Sequence, residues 1–444
     1  MRENAMVSLE RAAEFLDRSI SSSSPTSTST PSSSKWPEPL ADAAFHGIAG
    51  EFVRMVEPVT ESDPAAILLQ FFVCFGALVG RGPHYKVEGD EHHANLNLLL
   101  VGATAKGRKG TSLGRVRSMY ERIPHWKPHV SGLSSGEGLK FHVRDGREET
   151  KESKTGGLVT EVTDEGVTDK RLLVVESEFA SALRAAQRQG STLSPTMREA
   201  WDSGNLRTLT KHDPVTATGA HISIIGHITA DELRAELTTT DTANGFANRF
   251  LFIVVRRSKV LPFGGEELDE GEVQALVARL HERAELARTR GHVTMTPAAR
   301  AIWQAVYPEL SEGSGGLHGS VTARAEAQCI RLALVYALLD GVDHIDGPHL
   351  TAALAVWTYA DATAKYIFGA SLGDPTADEI LRRLQQAGDG GLTRTEISAI
   401  FGRNKPADRI GAALELLQRR GRATCEPVTT GGPGRHGELW RAKQ

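Results

Sequence analysis

The segment Asn95-Leu-Asn-Leu-Leu-Leu-Val-Gly102, then Ala103-Thr-Ala-Lys106-Gly107-Arg108-Lys109-Gly110-Thr111-Ser112, then Leu113-Gly-Arg-Val-Arg-Ser-Met-Tyr-Glu-Arg-Ile123, decides how this chain folds. An apolar run gives way to a Gly-rich basic loop, and the loop gives way to a helical pattern. That order suits an anion. Small residues let backbone N–H groups curl round it, and the helix N-terminus adds its positive dipole. In the pattern GxxxxGK[ST] a lysine reaches the β/γ-phosphates and a hydroxyl holds Mg²⁺. Gly102 and Gly107 have the required spacing, but Arg108 stands where the lysine is expected. Lys109 follows one residue late, and Gly110 precedes the hydroxyls of Thr111 and Ser112. Either Lys109 serves through a loop one residue longer, or Lys106 does. We take Lys109, with Thr111 on the metal.

Three further apolar runs follow. Arg171-Leu-Leu-Val-Val175 runs into Glu176-Ser177-Glu178, His221-Ile-Ser-Ile-Ile-Gly226 into His227-Ile228-Thr229, and Asn248-Arg249 open the run that ends at Val255. Short apolar runs alternating with helical segments indicate an α/β fold with a mainly parallel sheet. A magnesium-nucleotide site needs carboxylates at the tip of a neighbouring strand, one for the metal's water shell and one to polarise the attacking water. Glu176 and Glu178 supply both, with Glu176 also a metal ligand. Glu137 is another candidate base, or an ordinary residue of a helix N-terminus. His227 is placed to bond the attacking water or the γ-phosphate, or is a satisfied histidine without a chemical role.

Several local patterns then fall into a known order. Met197-Arg-Glu-Ala-Trp201 leads to Leu206-Arg-Thr-Leu-Thr-Lys211; Ser223-Ile-Ile-Gly-His227 follows, then Ala247-Asn-Arg249-Phe250, then Thr322-Ala-Arg324 through Ile330-Arg331-Leu332. Over roughly residues 36–370 the chain resembles the AAA+ ATPase module of minichromosome-maintenance helicases. It more closely resembles an uncharacterised family of helicase-like P-loop proteins from phages, plasmids and other mobile elements. The resemblance implies a P-loop NTPase (AAA+/RecA-like) core, with ATP and Mg²⁺ bound at the loop. It implies a hairpin that places Lys211 in a central pore on DNA, and a sensor strand with His227 where that family has Asn. It also implies Arg249 as an arginine finger reaching a neighbouring subunit's nucleotide, and Arg324 on a lid helix contacting the γ-phosphate. The partners implied are DNA, further copies of the chain in a ring such as a hexamer, and a primase or other replication protein. The altered loop, the Glu-x-Glu acids and the missing Asn depart from the family pattern.

Outward from this centre, the 444 residues give room for about three domains. Residues 1–35 hold a short amphipathic stretch and a Ser/Thr/Pro linker that cannot bury apolar surface and is expected to be disordered. Residues 36–262 carry the nucleotide core with an N-terminal helical part, and 263–372 an all-helical lid. Within the core, two strands are expected on either side of the polar stretch Gly89-Asp-Glu-His-His93, read as a turn. The histidine pairs His92-His93 and His125/His129 lack partners at zinc spacing and read as loop histidines. The run Ala65–Gly80, with Gln70 inside it, falls short of the roughly 20 residues of a membrane span. Ser62-Asp63-Pro64 before it reads as an N-cap followed by proline at the first helical position, so a buried helix is expected. Three cysteines far apart exclude a disulfide framework and fit a reducing cytoplasm. No secretory signal is visible, and a soluble, cytoplasmic protein is expected.

Residues 373–444 read as three helices and a β-wing, a winged helix-turn-helix. Thr393 caps the second helix with Glu396 three residues later. Arg403, Lys405 and Arg409 lie near the start of the third helix, where bases or phosphates are met, and Arg435 lies at the wing tip. From Pro375 onward there are 12 Lys/Arg against 8 Asp/Glu, a surplus of four, although the whole chain has a net charge of −4. Polyanion contact is therefore expected at the tail. The sequence points to a DNA helicase or translocase driven by ATP in the replication of a mobile element. The alternative is a DNA-binding replication or regulatory factor whose loop senses nucleotide with little turnover.

Overall fold

The four apolar runs become strands β1 (Asn97–Val101), β2 (Arg171–Glu176), β3 (His221–Ile228) and β4 (Leu251–Val254), all parallel, in the order β4-β1-β3-β2. The computed structural model describes residues 36–152, 158–208, 214–369, 374–402, 404–428 and 437–443. The strands are largely apolar because helices cover both faces of the sheet, with Asn97, His221, Ser223 and His227 as buried polar exceptions. Alternate side chains feed two cores. Leu98, Leu100, Leu173, Val175, Leu251 and Ile253 face one, while Leu99, Val101, Leu172, Val174, Phe252 and Val254 face the other.

The first core is the larger. Helices Gly47–Val56, Pro64–Val79, Lys109–Tyr120, Glu270–Arg288 and Ala325–Asp340, with most of Gly347–Phe368, pack there. Residues on both sides of position 262 therefore share one core. Helix Pro64–Val79 is its centre. Asp63 caps it by accepting from Ala65 N at 3.0 Å. Nine of its large apolar side chains are no more than 4% exposed, a gross burial of about 15–25 kcal/mol. As expected it is a buried helix, and no helix among the described residues is long and apolar enough to cross a membrane.

Several local expectations are corrected. Asp90–His93 is not a turn but a strand, paired with His84–Val87 around Glu88, whose φ is +51°. His93 is consequently buried rather than in a loop. The helix expected from Thr322 breaks at Arg324 into Gly316–Thr322 and Ala325–Asp340. The antiparallel hairpin Arg147–Glu152/Leu158–Asp164 has no sequence signature because it buries no face, and Leu158 is 80% exposed. The segment 263–369 also contains one short parallel strand pair, Thr294–Met295 with His344–Ile345.

The tail has its own core of Ile380, Leu384, Ile397, Ile410, Leu414, Leu417 and Trp440. Helices Pro375–Ala387, Arg394–Ile400 and Ala407–Arg419 pack with an antiparallel sheet ordered Leu392–Thr393, Gly437–Ala442, Ala423–Val428. Thr393 and Glu396 form the expected capping box.

A polar clasp joins the N-terminal helix to the helices of residues 325–368. Asp340 Oδ2 accepts from His46 Nε2 at 2.7 Å and from His349 Nε2 at 3.1 Å. The bond to Asp340 raises the His46 pKa above its ordinary 6.5, against the opposing effect of burial. Burial pushes the Asp340 carboxyl upward, but the hydrogen bonds from His349 and His46 outweigh it and hold it well below the carboxylate range. A histidine whose pKa is higher in the folded state contributes stability fully below its unfolded pKa and loses it as pH rises through the folded pKa. Relative to His46→Gln, the parent should thus gain most in melting temperature below pH 6.5, with the gain shrinking toward pH 9. Melts followed by circular dichroism across that range test this. A difference independent of pH would mean that His46 contributes packing alone.

Candidate functional site

After Val101 the chain turns at Gly102, whose N–H donates to Ile228 O of β3 at 3.1 Å. A Cβ at Gly102 would stand 2.6 Å from Val255 O, and one at Gly107 3.0 Å from Ala103 O, so close backbone approach demands glycine at the first and favours it at the second. Gly107 N closes the loop on Ala103 O at 3.1 Å. Ala105 and Arg108 hold φ near +50°, a costly conformation for residues with a Cβ. Helix Lys109–Tyr120 then starts with no side-chain cap on its first N–H groups.

Lys109 Nζ donates to Gly102 O at 2.6 Å and lies 3.4 Å from Ala103 O, so its ammonium sits against the loop's own carbonyls. Burial lowers its pKa, opposed by the charge of Glu232. Arg108, at the usual lysine position, turns away to Glu61 (Nε–Oε2 2.6 Å). Glu61 also accepts from Leu261 N at 2.8 Å and has Arg257 at 3.8 Å, so this carboxylate ties the loop to two neighbouring segments. Lys106 is exposed and makes no ion pair among the described residues. Gly110 and Thr111 are exposed at the helix start, whereas Ser112 is buried with its hydroxyl donating to Lys109 O at 2.7 Å. The loop thus holds Lys109 as its lysine, with Thr111 as the open hydroxyl; Ser112 is occupied by its own helix.

The acids divide differently from expectation. Glu176 Oε1 accepts from Gly132 N and Leu133 N, both at 2.6 Å, so this carboxylate anchors a loop. Glu137 accepts from Thr192 Oγ1 at 2.7 Å, which lowers its pKa. Glu178 is exposed at the head of helix Phe179–Ala186 and has no partner among the described residues. It is the carboxylate left available.

His227 stands opposite Leu100 in the sheet, on the strand that separates the loop-bearing β1 from the acid-bearing β2. It is 4% exposed, and burial together with the Lys109 charge pushes its pKa down to about 4. The imidazole is neutral at ordinary pH. Its Nε2 lies 3.1 Å from Nε2 of Gln70, which the sequence marked only as a break in an apolar run.

The arginines lie elsewhere. Arg249 is 6% exposed and bonds Asp202 through Nε (3.1 Å) and Nη2 (2.5 Å), with Nη1 on Gly245 O. Arg324 Nη1 is 3.5 Å from the same Asp202. Arg331, 1% exposed, donates to the carbonyls of His93, Asn95 and Trp201 and stacks 3.7 Å over the Trp201 ring. Burial, reinforced by Arg81, lowers its pKa to about 9. Arg249 precedes β4 and Asn95 precedes β1, so this cluster occupies the N-terminal edge of the sheet. The loop occupies the opposite edge, about 23 Å of extended chain away. Arg324 therefore does not reach this chain's own loop, and Arg249 is locked in an intrachain pair rather than displayed as a free finger. Asp202, the common acid, carried no motif that could have revealed it.

On the tail, Lys405 and Arg409 are exposed near the start of helix Ala407–Arg419. Arg409 pairs with Asp374 at 3.0 Å, and Lys405 Nζ is 5.8 Å from the Phe401 ring centre. Lys211, Arg403 and Arg435 lie outside the described residues.

His46, Asp340 and His349 form the group of described residues whose donor atoms are close enough for a metal ion. The tautomer argues against one. His349 Nδ1 accepts from Asp346 N at 2.9 Å, so the proton is on Nε2 and is given to Asp340. Ligation through Nε2 would require an imidazolate, the reverse of the usual arrangement in which the second nitrogen donates.

No family model matches the chain, and no curated protein matches it.

Proposed function

We propose that the protein is an ATP-dependent NTPase of helicase or translocase type that acts on DNA in the replication of a mobile element, plasmid or phage. The observation that carries the reading is Lys109. Its ammonium lies on the carbonyls of a Gly-rich loop between a parallel strand and a helix N-terminus. Such sheets bind ligands at the carboxyl ends of their strands, and that is where this loop lies.

In this P-loop reading the backbone of residues 102–110 cradles the phosphates and Lys109 neutralises β/γ charge. Arg108 serves by holding the loop to Glu61. Mg²⁺ would neutralise charge on the phosphate oxygens, with Thr111 and Glu178 to hold it, because Glu176 is taken up by Gly132 and Leu133. Glu178 orients the attacking water, and neutral His227 donates a hydrogen bond toward the terminal phosphate. Arg249 and Arg324 act on a neighbouring subunit's nucleotide, since they share the sheet edge opposite their own loop. This requires a homo-oligomer, a closed ring such as a hexamer, and release of Arg249 from Asp202. A finger of this kind is worth roughly 10³–10⁵ in turnover.

One observation favours a second reading. Glu176 spends an oxygen on Gly132 and Leu133, leaving a single free acid. A DNA-binding factor that senses nucleotide with little turnover would be built this way.

Lys109→Ala should weaken ATP binding by more than about 100-fold, a loss near 3 kcal/mol, while Lys106→Ala stays within about threefold. Glu178→Gln should keep binding and lower hydrolysis by about 10²–10⁴. Titration with a fluorescent ATP analogue and a steady-state phosphate assay measure both. Unchanged affinity in Lys109→Ala rejects the site; binding without hydrolysis in the parent selects the second reading.

For the tail, three helices with a three-stranded antiparallel sheet support a winged helix-turn-helix used on DNA. Non-specific affinity follows phosphate neutralisation, with a log–log salt slope of about −0.9 per contact on duplex. Replacing Lys405 and Arg409 by Ala should weaken duplex binding and flatten that slope by up to about 2. ATP binding should not change. Fluorescence anisotropy across a salt series reads the outcome, and an unaltered slope would make the tail a protein-contact module.

A further inference from the structure

Gln70 is 0% exposed at the centre of helix Pro64–Val79, whose other side chains are all apolar or thiol. A buried amide is tolerated only when it is bonded. Its bond goes to a residue 157 positions away: Gln70 Nε2 stands 3.1 Å from His227 Nε2. Its other polar atom, Oε1, is buried without a partner. An apolar side chain of similar length would remove the orphan oxygen but take from the buried His227 Nε2 its partner. The amide fits a task at His227.

The task follows from proton counting. With its pKa near 4, His227 is neutral at working pH and carries one ring proton. An amide N–H that donates to Nε2 obliges that proton to sit on Nδ1. Turning the amide over would replace a buried orphan carbonyl by a buried orphan NH₂ group, and unpaired N–H groups are the rarer case. We propose that Gln70 is a positioning residue that fixes His227 as the Nδ1–H tautomer, so that the ring presents a donor, never a lone pair, to the terminal phosphate of the nucleotide at the Lys109 loop. The helix before the loop thereby sets the hydrogen-bond polarity of the strand end beside it. A histidine needs such a partner, because only its surroundings decide which nitrogen holds the proton. The inference rests on the proposed ATP site, and its test separates the two.

Gln70→Met keeps side-chain length, removes the orphan oxygen and abolishes the donor to Nε2. Proteins with ¹⁵N-labelled histidine, with His227 assigned by its loss in His227→Gln, are compared by ring ¹⁵N–¹H spectra at pH 7 without nucleotide. The parent should show His227 neutral with the proton on Nδ1, and Gln70→Met should show proton density on Nε2. Melting temperature should stay within about 3 °C. The kcat for ATP hydrolysis should fall at least about tenfold with KM within about twofold, as for other residues that orient a histidine through its second nitrogen. An Nε2–H tautomer in the parent overturns the proposal without any variant. So does a Gln70→Met protein that hydrolyses ATP at the parent's rate, and in that case the ATP site itself stands. A parent with the Nδ1–H tautomer that neither binds nor hydrolyses ATP overturns the phosphate role together with the site. If Gln70→Met does not fold, Gln70→Leu carries the same comparison.

Discussion

Covering both faces of a four-stranded parallel sheet is the constraint from which the rest of this structure follows. Strand residues alternate between two cores, so each face needs its own helical layer. One layer is supplied by helices from both ends of the main body. Phe52 and Phe71 share a core with Leu332 and Val356. Neither the N-terminal helices nor those after residue 262 can bury their apolar surface without the other set. The His46–Asp340–His349 clasp is a polar expression of the same dependence, since it ties the start of helix Gly47–Val56 to helices Ala325–Asp340 and Gly347–Phe368.

Parallel strands also give the sheet two chemically different edges. At the carboxyl edge the backbone leaves β1 through Gly102, with Lys109 on its carbonyl and His227 close to Lys109, while Glu178 follows the end of β2 two strands away. At the amino edge three arginines surround Trp201 and Asp202, Arg249 and Arg331 buried and Arg324 partly exposed. Burial, then the neighbouring Arg249, holds the Arg324 pKa down, and Asp202, Asp90 and Glu326 only partly compensate. Guanidinium groups gathered in this way suit an anion from outside the chain. That is the physical content of the proposal that a neighbouring copy completes the site.

The two readings of function differ in how a few carboxylates are used. Bonding two backbone N–H groups makes Glu176 a good anchor and a poor base, because the bonds fix its position and occupy its oxygen. Glu178, two residues on, is held by nothing comparable. In the enzyme reading, turnover would depend on the exposed Glu178 and the neutral His227, with Lys109 already in the loop.

The sequence by itself determined the elements: the four apolar runs, the capped helix from Pro64, the loop between β1 and its helix, and the Thr393–Glu396 capping box. Each depends on neighbours along the chain or on a period of two or 3.6 residues, which the order of residues states directly. Only the tertiary structure decided the partners. The spacing left Lys106 and Lys109 both open; the fold lays Lys109 on the loop's carbonyls and holds Arg108 on Glu61, a partner that no spacing rule contains. Gln70 read as a flaw in an apolar helix until His227 was brought against it from 157 residues away. Arg249 and Arg324 read as two separate contacts to phosphate, and only the fold brings both to Asp202. Hydrogen bonds and ion pairs are short-range in space and indifferent to sequence distance, so side-chain roles wait for the fold that chooses their neighbours.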